Sequence, residues 1–535
     1  MRKLTPVFYI SFVIALLFII WGIAAPSHVE TVLGNIQGYI SEKLGWFYLL
    51  SATAFVIFAI YLIFSPYGRI KLGKPDEKPE YNYFTWFAFL FTAGMGIGLV
   101  FWGVAEPLYH YYGPPAGEPE SDAAAAAALR YSFFHWGIHP WAIYSIVALA
   151  LAYFKFRHDA PGVVSAALRP VLGDKVDGPL GTLVNVLVVF ATIFGVATSL
   201  GLGAAQVSGG LSYLFDFITN NLGTQLVVIA IITVLYLISA GTGINRGIRI
   251  LSMTNIILAI GLMLFVLAVG PTVYILDVFT TTLGSYIQNL PSMSFSTATF
   301  IGDRGWLESW TIFYWAWWIA WSPFVGTFIA RVSRGRTIRE FVLGVLAVPT
   351  LFGGLWFSVF GATGMSTDNA LGGALYNIMG EQGEEIALFS LLDQFPLSGI
   401  IIALAILLII SFFITSADSA TFVLGMQTTN GSLNPPTSVK MVWGAIQSSA
   451  AAVLLYFGGL AGLEMAMIIA ALPFTFVMLF MVVSIFKALK SERQVLQTDK
   501  STIQAERNRL REEKERLKQE KAELKKQVKA SKNKQ

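Results

Sequence analysis

The chain contains no cysteine, which removes disulfide frameworks, thiolate metal sites and cysteine nucleophiles from consideration. Charge is also scarce. Only 13% of the 535 residues are Asp, Glu, Lys or Arg, against about 25% in an ordinary soluble domain. Apolar residues take their place, at 55% of the composition and a mean hydropathy of +0.64. Crossing a bilayer takes about 20 apolar residues, and runs of that length define one polytopic membrane domain in place of several soluble ones. The net charge of +4 is unevenly placed. Residues 487–535 hold 16 Lys and Arg against 8 Asp and Glu, which leaves the rest of the chain at −4. The body therefore has no basic excess to offer nucleic acid.

Twelve apolar runs predict helices over 7–25, 46–65, 83–104, 128–154, 180–211, 225–240, 249–269, 308–330, 338–362, 397–422, 438–457 and 462–486. The first has signal-peptide flanks in Arg2, Lys3 and Ala24-Ala25-Pro26. It is too long for a signal peptide, and its removal would upset the charge parity of the loops. With the N-terminus inside, 33 Lys and Arg fall on inner segments and only Lys43, Arg130 and Arg304 on outer ones, so both termini are expected in the cytoplasm. Acid collects on the outer connections, at Glu118, Glu120 and Asp122 and at Asp368, Glu381, Glu384, Glu385 and Asp393. The stretch 271–292, with Asp277, Thr280–Thr282 and Gln288, is too polar to cross and reads as a helix along the outer surface.

Two spans carry helix-weakening residues at mid-membrane. Span three holds Thr92-Ala93-Gly94-Met95-Gly96-Ile97-Gly98, and each glycine costs a helix about 1 kcal/mol relative to alanine. Gly94 and Gly98 have the spacing of close helix packing. The other reading is an unwound segment lining a cavity, the setting in which irregular backbone survives at that depth. Span eight holds Trp321-Ser322-Pro323-Phe324-Val325-Gly326, where proline and glycine are expected to loosen the helix. Spans three and eight are five apart, so they begin two five-helix units of opposite orientation, 83–270 and 308–486. Interrupted helices at matching positions of inverted halves point to a transporter's binding site.

Fourteen tryptophans are present. On a helical wheel Trp136, Trp141 and Tyr144 share one broad face of span four, and Trp318 and Trp321 share a face of span eight. An interfacial belt would place them at span ends, whereas Trp318 and Trp321 lie near the middle of theirs. Indole faces attract cations, and aromatic cages suit quaternary ammonium groups. No Asp or Glu lies in 135–144 or 315–321, so a bare cation would lack a counter-charge. A zwitterion is the more economical guest, its own carboxylate meeting freed amides around Gly94, Met95 and Gly96. His135 and His139 have the spacing of a zinc pair, but Trp136 stands where a metalloprotease would place its glutamate. They read as packing histidines.

Span ten contains Phe412-Phe413-Ile414-Thr415-Ser416-Ala417-Asp418-Ser419. Hydroxyls and carbonyls suit a small hard cation, although Ser and Thr also satisfy their own helix carbonyls. Asp418 favours the functional reading, as an ionisable residue within a span. Thr192 and Ser199, two turns apart in span five, form a weaker second ion candidate.

These strings, with Gly94–Gly98 followed by Phe101-Trp102-Gly103-Val104-Ala105-Glu106-Pro107, with Trp310–Phe324 and with Arg331–Glu340, make the chain similar to the betaine/choline/carnitine transporters over about residues 5–490. The resemblance implies an all-α protein of twelve spans with a five-plus-five inverted-repeat core, assembled as a trimer and working by alternating access. It implies an aromatic substrate box of Trp136, Trp141, Tyr144, Trp318 and Trp321, with Trp315 and Trp317 nearby. It places sodium at the backbone of Thr92 and Met95 with Phe412, Thr415 and Ser416, and a second ion near Thr192. Betaine carriers have a hydroxyl where this chain has Val196, which weakens that second site. Gly98 stands where choline carriers tend to have an acid, and Ile250–Gly270 lacks the basic residue of sodium-independent carnitine exchangers.

The tail repeats Leu496, Ile503, Leu510, Leu517 and Leu524 every seven residues. The preceding core positions are mostly Lys or Arg, so a solvated helix, a weak coiled coil and adsorption to anionic lipid all fit. Lys514, Lys521, Lys525 and Lys526 are its regulatory candidates, by analogy with the osmosensing basic helix of betaine carriers. The expectation is a non-enzymatic, sodium-coupled importer of glycine betaine or a related solute (choline, carnitine, ectoine, proline or a sulfonium zwitterion) in a bacterial inner membrane. A proton-coupled carrier is the nearest alternative. From another class, a membrane-embedded osmosensor or a channel is the alternative, and a channel would need a continuous polar face that no span offers.

Overall fold

The computed structural model describes residues 4–94, 96–242, 245–300 and 302–532, with side chains given outside 91–95, 242–250, 252, 494–506 and 523–532. All regular structure there is helical. The helices are α1 (Pro6–Ala24), α2 (Pro26–Phe64), α3 (Tyr83–Gly94), α4 (Ile97–Tyr112), α5 (Asp122–Trp136), α6 (Ile138–Ala152), α7 (Arg169–Leu172), α8 (Pro179–Leu214), α9 (Leu222–Thr242) and α10 (Asn245–Val269). They continue with α11 (Thr272–Phe295), α12 (Arg304–Leu307), α13 (Phe313–Val332), α14 (Ile338–Phe357), α15 (Thr363–Ala370), α16 (Ala374–Gln382), α17 (Ala387–Leu392), α18 (Ser398–Thr428) and α19 (Thr437–Lys532). The chain forms two compact units, residues 1–482 and 483–535. In the second, the described side chains from Arg507 to Ala522 are exposed, Leu510 and Leu517 included.

Among the described residues, eight helical stretches are long and apolar enough to cross a membrane, and the bent pair Met253–Val269 and Thr272–Phe295, at 112°, brings the number to nine if it counts as one span. The molecule is thus an all-helical, multi-pass membrane protein. Several of the twelve expected runs do not stand as separate long apolar helices. The run 83–104 is divided between α3 and α4, of 12 and 16 residues. Its α13 counterpart is 20 residues long but contains four tryptophans and Tyr314, which lower its mean hydropathy. The last two runs are two helices within α19, joined across a kink at Gly459 (φ 56°, ψ −141°), between 438–457 and 462–486 as expected.

The expected loosening of span eight is absent, since α13 runs unbroken through Pro323. Proline 323 has no N–H for the carbonyl four residues earlier. That carbonyl belongs to Ile319, and the Ser322 hydroxyl donates to it at 2.7 Å. A break that the periodicity did not signal occurs instead in span four, at Gly137 (φ −98°, ψ −129°) between α5 and α6. Pro140 cannot donate to the carbonyl of Trp136, and the amide of Ile138 turns to the Tyr286 hydroxyl at 3.0 Å.

The long buried helices lie against one another in two main pairs, α6 with α13 and α8 with α18. At Gly326 a methyl group would stand 2.8 Å from Val147 of α6, so the two backbones approach as closely as only glycine permits. The string Arg331–Glu340 joins this core to the segment before α3. Gly335 N and Leu72 N bond to Leu72 O and Arg336 O, and Thr337 and Glu340 form a reciprocal cap on α14. Arg336 is buried over the rings of Tyr83 and Trp86, at 4.5 and 4.0 Å, and donates to Tyr81 O. Cation–π contact compensates part of the cost of burying that charge.

Candidate functional site

The break between α3 and α4 centres on Gly96, whose backbone is extended. A methyl there would lie 3.5 Å from Trp321 Cη2, so the break stands beside the aromatic cluster of α13. The side chains of Thr92 and Met95, and the surroundings of Gly94, lie outside the described residues.

Because α5 ends at Trp136, the single-helix wheel that joined Trp136 to Tyr144 does not apply. What unites the cluster is α13. Trp318 meets Trp136 edge-on at 4.8 Å, Tyr144 at 6.1 Å and Trp317 in a parallel stack at 4.9 Å. Tyr144 in turn contacts Trp141 at 5.5 Å and Trp321 at 6.4 Å. All six side chains are buried. Trp136 and Trp318 have their indole N–H groups engaged, with Glu106 Oε2 at 2.7 Å and His135 O at 2.9 Å. The Tyr144 hydroxyl and the N–H groups of Trp317 and Trp321 have no partner among the described residues. A buried unsatisfied polar group costs about 1–3 kcal/mol, and the indole N–H groups of Trp102, Trp306 and Trp315 are likewise without a partner among the described residues.

Sequence reasoning found no acid in the box segments, but the fold brings one from α4. Glu106 is fully buried and accepts from His135 Nδ1 at 2.7 Å, His110 Nε2 at 3.2 Å, Trp136 Nε1 at 2.7 Å and the Tyr314 hydroxyl at 2.6 Å. Its position within an otherwise apolar run was the available signal. Glu106, His110 and His135 place three ligand-type atoms within 4.8 Å of one another, yet Glu106 Oε1 is already occupied by both rings. His139 takes no part: it stacks on Trp315 at 4.9 Å and pairs with Ser294. A separate cavity of about 250 Å³ lies beyond this cluster, lined in part by Tyr131, Phe134, Trp306 and Thr311. The Thr311 hydroxyl bonds to His135 Nε2 at 2.9 Å.

In α18, Thr415 and Phe412 are buried and Ser416 is half-buried. The Thr415 hydroxyl reaches Ser411 O and Phe412 O at 2.9 and 3.1 Å and accepts from Asn255 Nδ2 at 3.2 Å. Asn255 of α10, which periodicity gave no reason to single out, also accepts from the Ser411 hydroxyl. Asp418 faces elsewhere and accepts from Ser239 of α9 at 2.9 Å. Thr192 bonds to its own helix at Val188 O, 2.8 Å, while the Ser199 hydroxyl is buried without a partner among the described residues.

Comparison with known proteins places this geometry. The glycine betaine transporter OpuD of Bacillus subtilis is 55% identical over 93% of this chain and 96% of its own length. The ectoine/hydroxyectoine transporter of Virgibacillus pantothenticus is 43% identical over 92% of this chain and 98% of its own. The glycine betaine transporter of Acinetobacter baylyi is 43% identical over 92% of this chain and 74% of its own. The pattern of the BCCT, betaine/carnitine/choline family transporters, matches residues 6–494. The chain, which carries its aromatic cluster beside a broken helix, belongs to that family of membrane transporters.

Proposed function

We propose that this protein imports glycine betaine, driven by the inward flow of sodium, and so supplies a compatible solute under osmotic stress. The observation that carries the reading is the cluster of Trp136, Trp141, Tyr144, Trp318 and Trp321 against the break at Gly96. It combines aromatic faces for a quaternary ammonium with the unpaired donors of Tyr144, Trp317 and Trp321 for a carboxylate. A substrate with both groups and no N–H is a trimethylated zwitterion. The names of the relatives agree with that substrate class.

On this reading the chain crosses the membrane twelve times with both termini in the cytoplasm, as a trimer in a bacterial cell membrane. Spans 3–7 and 8–12 are inverted repeats that rock around the box. The packing of α8 on α18 supports it, because spans five and ten are a pair that such a two-fold axis would exchange. Sodium sits at the backbone of Thr92 and Met95 with Phe412, Thr415 and Ser416, and the Thr415 hydroxyl oxygen, which accepts from Asn255, keeps a second lone pair for the ion.

The test is uptake of labelled betaine, choline and carnitine into proteoliposomes with and without a sodium gradient. Concentrative betaine uptake only with inward sodium is expected. Equal uptake without sodium would remove the ion assignment, and preference for choline would remove the substrate. Ectoine is the second reading, favoured by the relative from Virgibacillus pantothenticus, and belongs in the same panel.

A further inference from the structure

We infer that Glu106 is a positioning and specificity-determining residue, which acts through Trp136 to fix where the substrate's cationic group lies. The inference rests on the zwitterion reading of the aromatic box and adds the charge which that box was expected to lack.

The carboxylate's bonding is full. Oε2 accepts from Trp136 and Tyr314, and Oε1 from His135 and His110, four donors for about four lone-pair positions. None of these donors need be a cation. The contacts of His135 are met by a ring that gives its Nδ1 proton to Glu106 and accepts from the Thr311 hydroxyl at Nε2, so both nitrogens can be satisfied without a second proton. His110 gives its Nε2 proton, and its Nδ1 is buried without a partner. A second proton there would be an unpaired buried donor, so the neutral ring fits better. Among the described residues only these two histidines approach Glu106 as basic groups. The carboxylate is therefore stabilised by hydrogen bonds and left un-neutralised, in an interior where a charge acts over a longer range than in water.

Of the rings that donate to it, Trp136 is the one that belongs to the aromatic box. An indole whose N–H donates to an anion gains electron density in its ring, which strengthens the attraction of its face for a cation. The same bond fixes the ring's rotation, with Trp318 edge-on to it at 4.8 Å. Tyr314, also held by Glu106, lies parallel to Trp318 at 5.7 Å and Trp317 at 6.2 Å. One carboxylate thus sets the rings at one end of the box. Its charge also orients the guest, with the ammonium toward Trp136 and the carboxylate away from it, toward the break at Gly96. A purely structural Glu106 would tie α4, α5 and α13 together without distinguishing a cation from a neutral group of the same shape.

That difference is measurable with betaine and its carbon isostere, 3,3-dimethylbutyrate, which has the same shape and carboxylate but no positive charge. Binding of both to the purified full-length protein is read by tryptophan fluorescence. Wild type is expected to prefer betaine by at least about tenfold, and Glu106→Gln to lose about that factor for betaine with little change for the isostere. Tyr314→Phe, which removes a tie but keeps the charge, should retain the preference. Trp136→Phe, which keeps a ring but removes the N–H, should reduce it and make Glu106→Gln nearly silent in that background. Equal losses for both ligands in Glu106→Gln would make Glu106 structural and overturn the inference while leaving the proposed function intact. A wild type that does not prefer betaine would overturn both. If Glu106→Gln does not fold, the Trp136→Phe and Tyr314→Phe pair decides alone: equal preference in the two variants would refute a role for the charge.

Discussion

A methyl group at Gly98 would stand 2.7 Å from Trp317 Cη2 and 3.0 Å from Trp136 Cη2, inside ordinary contact distance of two rings of the box. Overpacking of this kind costs about 1–3 kcal/mol, and both rings must move to relieve it. Gly98→Ala should therefore weaken betaine binding about tenfold or more, in a protein that still folds; unaltered affinity in fluorescence titration would show that these rings do not hold the substrate. Trp318→Leu removes the ring that touches Trp136, Tyr144 and Trp317 together and should weaken binding more strongly, by about a hundredfold. Away from the membrane-spanning helices, Glu385 accepts from Asn220 at 2.7 Å, and burial pushes its carboxyl above the ordinary 4.5. A raised carboxyl binds its proton more tightly in the folded protein. Its contribution to stability is then full below the ordinary value and is lost as pH rises through the folded one. Glu385→Gln should flatten the pH dependence of thermal stability above about pH 4.5; identical profiles for variant and wild type would refute this.

The helix α13 shows how a proline can sit in a span without a kink. Pro323 frees the carbonyl of Ile319, and Ser322 supplies the missing donor from one residue away. Ser322→Ala should cost about 1–3 kcal/mol, the price of a buried carbonyl left alone, and lower the melting temperature in detergent. Adding Pro323→Ala restores an N–H to that position and should recover most of the loss, so two additive losses would contradict the account. The opposite occurs at Gly137, where the Trp136 carbonyl has no such neighbour and the helix ends. The composition of the two segments made span eight look like the one to break. The difference lies at Gly137, which leaves helical geometry (φ −98°, ψ −129°) while the Ile138 amide bonds to Tyr286 of α11, a tertiary contact that hydrophobic periodicity does not contain. Span three's break was legible because three glycines at alternate positions leave a helix few reasons to continue.

For the whole molecule, charge placement in the sequence already reads as a multi-pass protein with a basic tail, and the all-helical structure and family membership agree with the first of these. The second unit, residues 483–535, exposes Leu510 and Leu517 at 58% and 51% in the single chain, so these two leucines remain available for contacts. Lys514 and Lys521 are exposed there, whereas Lys525 and Lys526 lie outside the described side chains. Removing residues 488–535 should leave the maximal rate of betaine uptake within about twofold and shift the osmolality at which it rises, because up to about 1 kcal/mol of lipid attraction per basic residue is lost. An unchanged osmotic profile in proteoliposomes would remove the sensing role from the tail.

The sequence by itself determined that this is a helical, multi-pass membrane protein, because scarce charge and long apolar runs are read along the chain, and it carried the likeness to a transporter family, because the tryptophan, glycine and serine/threonine strings are local. It also named the aromatic residues that the structure brings into one cluster. Only the tertiary structure decided what stands behind them. Glu106, His110, Tyr314 and Asn255 act on residues up to about two hundred positions away, and helical periodicity reports which face a side chain occupies on its own helix, not which helix it meets. The reading that the box lacks acid was correct for its own segments and incomplete for the folded protein, since a carboxylate's influence depends on distance in space, and distance in space is set by packing.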